Sequence, residues 1–160
     1  SVAPCPLAYQ VANAGQMLPA NCSVQRLPFV AQSAFDAVLQ AHELLFVRGE
    51  DSFVRAQWVA KPVFWQIYPQ DDAAHIVKLR AFYARYLNPD IIPLAAREHF
   101  LSFILAWNGS GAPALCGDLW PEILRMLPAL QENALNWRQH LLKQPDLVTQ
   151  LRAFVADLVK

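Results

Sequence analysis

Apolar and polar positions change their rhythm along the chain, in short blocks up to Tyr68 and at helical spacing beyond it. "SVQRLPFV" (Ser23–Val30) predicts a strand running into a loop, "AFDAVLQA" (Ala34–Ala41) a short helix, and "LLFV" (Leu44–Val47) a second strand. The helix "SFVRAQWVA" (Ser52–Ala60) follows. Next comes a third strand, "PVFWQIY" (Pro62–Tyr68), whose proline sits at the strand start, where a missing N–H costs least. An order β-α-β-α-β with short connections predicts a parallel sheet covered by helices, with right-handed crossovers.

Beyond "PQDD" the pattern turns helical. "DDAAHIVKLRAFYARYL" opens on acids and ends on basic residues, as the helix dipole favours. Ile76, Leu79, Phe82, Tyr83 and Leu87 fall on one apolar face. A second helix is predicted from Ile92 to Trp107, stopping at "NGSG", and a third from Asp118 to Lys143 with Pro121 in its first turn. "DLVTQLRAFVADLVK" closes the chain as a fourth. A sheet of three or four strands followed by several helices is small for a free-standing α/β enzyme and suits one lobe of a two-lobed protein. Residues 1–22 read as an N-terminal segment or linker, and residues 23–160 as the folded domain.

Composition narrows the classes. The 160 residues suit one domain with its own core, and a 55% hydrophobic share beside 16% charged residues implies a filled core or a surface that expects a partner. Thirteen basic and 13 acidic residues cancel, so no overall field favours nucleic acid or an anionic membrane. No run approaches the ~20 apolar residues of a membrane span. Cys5, Cys22 and Cys116 lack zinc or disulfide spacing and suggest a reducing, cytoplasmic setting. His42, His75, His99 and His140 are scattered, so no metal is expected. The opening "SVAPCPLAYQ" has neither the basic nor the apolar region of a signal peptide. Without an initiator methionine, it reads as the start of a piece of a longer protein.

The candidate chemistry lies where strands meet helices. "RGEDS" (Arg48–Ser52) joins a strand to a helix through Gly49, a place where helix-start amides can hold phosphate. Arg48 offers a guanidinium fork and Ser52 a hydroxyl. The plainer alternative is a helix start capped by Asp51 with help from Glu50, and Arg48 in a surface ion pair. "LPFVAQSAF" brings Phe29, Gln32 and Phe35 to the same end of a parallel sheet, where ligands gather. Two aromatics and an amide there could sandwich and read a nucleobase, or the aromatics could be core and Gln32 an exposed cap. Tyr68 ends the third strand on that rim, as a phosphate ligand or an ordinary boundary tyrosine. Trp58, Trp65, Trp107, Trp120 and Trp137 read as core or lobe-contact residues. Neither GxGxxG, GxxxxGK[ST] nor GxSxG is present, and adjacent Glu50 and Asp51 cannot flank a sugar as a glycosidase pair does. Together the three rim segments point to a nucleotide-type ligand.

"FVRGEDSFVRAQWVAKPVFWQIYPQDDAAHIVKL", with "LPFVAQSAFD" upstream, closely resembles the bacterial protein-arginine rhamnosyltransferases that modify translation elongation factor P. The likeness is strong from Leu27 to Leu79 and extends towards the C-terminus. It implies the Rossmann-like, donor-binding C-terminal half of a GT-B glycosyltransferase: an α/β fold with a small parallel sheet flanked by helices and a helix-rich C-terminal part. It implies inverting transfer of rhamnose from dTDP-β-L-rhamnose to an arginine of elongation factor P, without metal or other cofactor. By that resemblance Phe29 and Phe35 shape the thymine pocket, Gln32 helps read the base, and Arg48 and Tyr68 hold the diphosphate. Gly49 lets the backbone approach, while Glu50, Asp51 and Ser52 stand beside ribose and phosphate, the two acids in a supporting catalytic role. The general base is expected in an N-terminal lobe that this chain does not include, so the chain alone is expected to be inactive. Two other readings stay open: a lobe of another nucleotide-sugar transferase, and a non-catalytic interaction domain.

Overall fold

The structure is a computed structural model that describes residues 27–28 and 30–158. The chain forms α1 (Gln32–Gln40), β1 (Leu45–Arg48), α2 (Glu50–Trp58) and β2 (Val63–Gln66). The helices α3 (Ala74–Tyr86), α4 (Leu94–Trp107), α5 (Ala114–Arg125), α6 (Leu127–Leu142) and α7 (Leu147–Leu158) follow. The fold is α/β and helix-rich, with a small parallel sheet. Among the described residues that sheet has two strands, not three or four: β1 and β2 pair in parallel, with Leu45 opposite Val63 and Arg48 opposite Gln66. Most of the expected strand at Ser23–Val30 lies outside the described residues; Leu27, Pro28 and Val30 are not in a strand.

Aromatic packing closes the two described strands on both faces. Phe46 and Phe64 are partners in register and stack at 4.5 Å. Phe53, from the crossover helix α2, stacks on Trp65 at 3.8 Å. Phe100 and Phe103 of α4 cover Phe64 from beyond the strand. The apolar face expected on α3 is in place, with Leu79, Tyr83 and Leu87 buried and Ile76 and Phe82 packed beside them.

Several helix boundaries differ from the sequence pattern: α1 and α2 each begin two residues earlier than expected, at Gln32 and Glu50, α4 begins two later, at Leu94, and the second half differs more. The acids of "DDAA" precede α3 instead of filling its first turn, because Ala73 adopts a left-handed conformation (φ 58°). Asp72 Oδ1 still accepts from the Ala74 N–H, at 3.0 Å. The long helix expected from Asp118 to Lys143 is two helices, separated at Met126. Pro128, second residue of α6, has no N–H to continue the ladder and would clash with a carbonyl one turn back. Because α5 begins at Ala114, Pro121 lies inside it and not in a first turn.

Trp58 is 45% exposed and stands outside the core. α7 buries none of its residues, and its Leu151, Phe154 and Val155 face solvent. No helix among the described residues is long and apolar enough to cross a membrane.

Candidate functional site

The carboxyl ends of β1 and β2 lie side by side, and the chain leaves each in a different way. After β1 it turns at Gly49 (φ 76°, ψ −169°) and enters α2 at once. The turn is held at both of its polar groups: Gly49 N–H donates to Gln66 O at 3.1 Å, and Gly49 O accepts from Trp65 Nε1 at 2.8 Å. After β2 the chain continues through Ile67 to Tyr68, whose ring lies against Gly49. A Cβ at position 49 would stand 2.9 Å from Tyr68 Cε2 and 3.0 Å from the phenol oxygen. Positive φ and this close approach both require glycine. Arg48 completes the corner, its Cζ 5.3 Å from the centroid of the Tyr68 ring, within cation–π range. Gly49→Ala is therefore expected to lower stability by about 1–3 kcal/mol and to push the Tyr68 ring off the turn. Urea denaturation measures the first effect; a melt identical to wild type would contradict it.

No side chain caps α2, so the first-turn amides of Glu50, Asp51 and Ser52 lack the intrahelical partners they would have further along. Asp51 is not the cap that the sequence allowed. Gly49 occupies the N-cap position, which places Asp51 inside the first turn and within reach of Arg55 one turn on, at 3.3 Å. Arg55 also reaches Asp36 of α1 at 3.0 Å and so ties the two helices together. The surface ion pair considered for Arg48 is likewise not formed: among the described residues no carboxylate pairs with it, and Tyr68 is its neighbour. Glu50 is exposed and Ser52 half-buried. Among the described residues no three His, Cys, Asp or Glu side chains converge as a metal set.

Helix α1 belongs to the same rim. Gln32, Asp36 and Gln40 share one of its faces by i,i+4 spacing. Asp36 meets Arg55, while Gln40 lines a shallow depression with Trp58 and Val59. The two helices thus run in the same direction, and exposed Gln32 stands at the end where α2 begins. Phe35 is half-buried against the core, closer to the packing reading than to an open base pocket. Phe29 lies outside the described residues.

Sequence reasoning missed two residues that hold this corner in place. Among the described residues β2 is an edge strand, and the groups of Val63, Trp65 and Ile67 that point away from β1 need partners. The phenol oxygen of Tyr83 accepts from Trp65 N–H at 2.9 Å and donates to Val63 O at 3.1 Å. Burial pushes that phenol above the usual tyrosine range, so it stays protonated and keeps both bonds. Asn108, just past α4, accepts from Ile67 N–H at 2.9 Å and donates to Trp65 O at 2.9 Å and to Ile104 O at 2.8 Å. Two side chains thus act as a third strand. Tyr83 carried only the signal of an apolar helix face, and Asn108 that of a helix stop.

The family model described as Elongation-Factor P (EF-P) rhamnosyltransferase EarP matches residues 6–156 of this sequence. The chain belongs to the EarP family. A protein-arginine rhamnosyltransferase of Pseudomonas aeruginosa is 41% identical over 134 residues, 84% of this chain and 34% of that protein. One from Neisseria meningitidis is 33% identical over 144 residues, 86% of this chain and 36% of the relative. Among solved structures, one concerned with EarP-mediated arginine glycosylation of translation elongation factor EF-P superposes with a TM-score of 0.70 at 36% identity. It covers 86% of this chain and 41% of that one. The chain spans about a third of the length of the curated relatives it matches.

Proposed function

We propose that this chain is the donor-binding part of an inverting GT-B protein-arginine rhamnosyltransferase. In this reading the enzyme moves rhamnose from dTDP-β-L-rhamnose to an arginine of bacterial elongation factor P in the cytoplasm. The observation that carries the reading is the Arg48–Gly49–Tyr68 corner beside the uncapped start of α2, in a member of the EarP family. A nucleotide sugar offers a diphosphate to such a corner. Arg48 supplies a bidentate cation, Tyr68 a hydroxyl, and the α2 amides a row of donors pointing out of the helix. Gln32, exposed at the start of α1, can meet the base edge, and by the family resemblance Phe29 and the half-buried Phe35 border the base pocket. Ser52 and Glu50 can meet the ribose side. Asp51, engaged with Arg55, acts by fixing α2 against α1.

The chemistry fits these groups. In inverting transfer the bond from the sugar C1 to the diphosphate breaks as the acceptor nitrogen attacks from the opposite face. Negative charge gathers on the leaving diphosphate oxygen, and Arg48, Tyr68 and the α2 amides are the groups available to stabilise it. The acceptor guanidinium is a poor nucleophile because it is normally protonated. Its deprotonation falls to a base on the lobe that supplies the remaining two-thirds of the relatives' length.

That division sets the test. Calorimetric titration of the 160-residue chain with dTDP-rhamnose should show weak binding, and an arginine-modification assay on elongation factor P should show no turnover. At 100 times its dissociation constant dTDP should add about 2.7 kcal/mol of stability, with UDP requiring higher concentrations for the same shift. Turnover at full-length rates would overturn the division of labour. An unchanged melting temperature in saturating dTDP, for the chain and the full-length enzyme alike, would overturn the binding role.

A further inference from the structure

We infer that Asn108 is a positioning residue for the donor diphosphate, acting through the segment Trp65–Tyr68; this rests on the function proposed above. Ile67, one residue before Tyr68, has its N–H held by Asn108 Oδ1 at 2.9 Å. The amide nitrogen of the same side chain holds Trp65 O at 2.9 Å and Ile104 O at 2.8 Å. Asn108 therefore grips β2 on either side of Gln66 and anchors it to the last turn of α4. Its own backbone N–H bonds Ile104 O at 3.1 Å, so the side chain projects from a rigid base.

The grip reaches the candidate site in one covalent step. Ile67 is buried at 4% exposure, whereas Tyr68, next in the chain, is 54% exposed. An exposed ring on an unsupported strand end would swing freely. Held at Ile67, it has one backbone direction, which lays it on Gly49 and beneath the Arg48 guanidinium. Gln66, inside the gripped stretch, bonds the Gly49 N–H, so the turn that starts α2 takes its position from the same segment. Asn108 thus sets the phenol, the guanidinium and the helix-start amides relative to one another without touching the ligand.

Asparagine is required by the polarity of its partners: one donor, Ile67 N–H, and two acceptors, Trp65 O and Ile104 O. An aspartate in its place would have the same shape, but its carboxylate would face both carbonyls with an acceptor. Asn108→Asp therefore breaks the grip without leaving a cavity.

The test compares wild type and Asn108→Asp in full-length enzyme carrying this sequence, using dTDP and thymidine as separate probes. Asn108→Asp is expected to weaken dTDP at least about tenfold, as displacement of binding groups by a fraction of an ångström does. Thymidine, which lacks the diphosphate, should bind within about twofold of wild type. Equal losses for both probes would mean a general structural role and overturn the inference, as would unchanged dTDP affinity. If the variant does not fold, the wild-type protein decides: dTDP should slow hydrogen exchange at the Ile67 amide, because a ligand that favours the gripped state tightens it. Unaltered exchange there would overturn the inference. Failure of wild type to bind either probe would instead count against the proposed function itself, and the inference would fall with it.

Discussion

Arg48→Ala in the intact enzyme is expected to reduce kcat by about 10²–10³ while leaving the fold unchanged. The size follows from where the charge develops. A guanidinium beside the diphosphate gains most as the C1–oxygen bond breaks, so its loss is felt more in turnover than in ground-state donor affinity. The fold should not notice, because Arg48 is exposed and, among the described residues, forms no ion pair. Circular dichroism and the melting temperature should match wild type. Arg48→Lys should recover only part of the rate, since an ammonium cannot make the two parallel bonds of a guanidinium. Turnover near wild type in a correctly folded Arg48→Ala enzyme would remove Arg48 from the proposed diphosphate site.

Tyr83→Phe should lower the stability of the chain by about 2–4 kcal/mol, a large part of what holds a domain together. The ring would stay in its aromatic cluster, with Tyr86 at 5.9 Å and Phe100 at 5.4 Å. Only the hydroxyl is lost, but it satisfies Trp65 N–H and Val63 O, both on buried residues of the edge strand. The neighbouring phenol of Tyr86, which burial pushes up to about 12, does not take the Trp65 N–H, so that donor is left without a partner. Urea unfolding should show a lower midpoint at unchanged slope, the sign of lost stability without a change in compactness. A midpoint equal to wild type would show that β2 does not depend on the phenol of Tyr83.

The apolar rhythm of the chain was enough to locate both described strands, the crossover helix between them and the helical second half. Each of these is a local pattern, read from residues three, four or two apart. "RGEDS" was legible as a strand–turn–helix corner because glycine at a junction has few other uses, and the family pattern pointed to the same residues. Helix ends were less legible. Met126 divides a continuous apolar periodicity because Pro128 stops the ladder, and Asp51 gives up capping once Gly49 takes that position.

What only the tertiary structure decided is how the two described strands keep their edge and their corner. Tyr83 meets Trp65 from 18 residues away, and Asn108 meets Ile67 from 41. No periodicity encodes such pairings, because a buried backbone group accepts any donor or acceptor that packing delivers to it. The sequence by itself determined the two described strands, the crossover helix between them, the helical character of the second half and the family. Packing determined which side chains complete the sheet, and through them the placing of Tyr68 on Gly49 beneath Arg48.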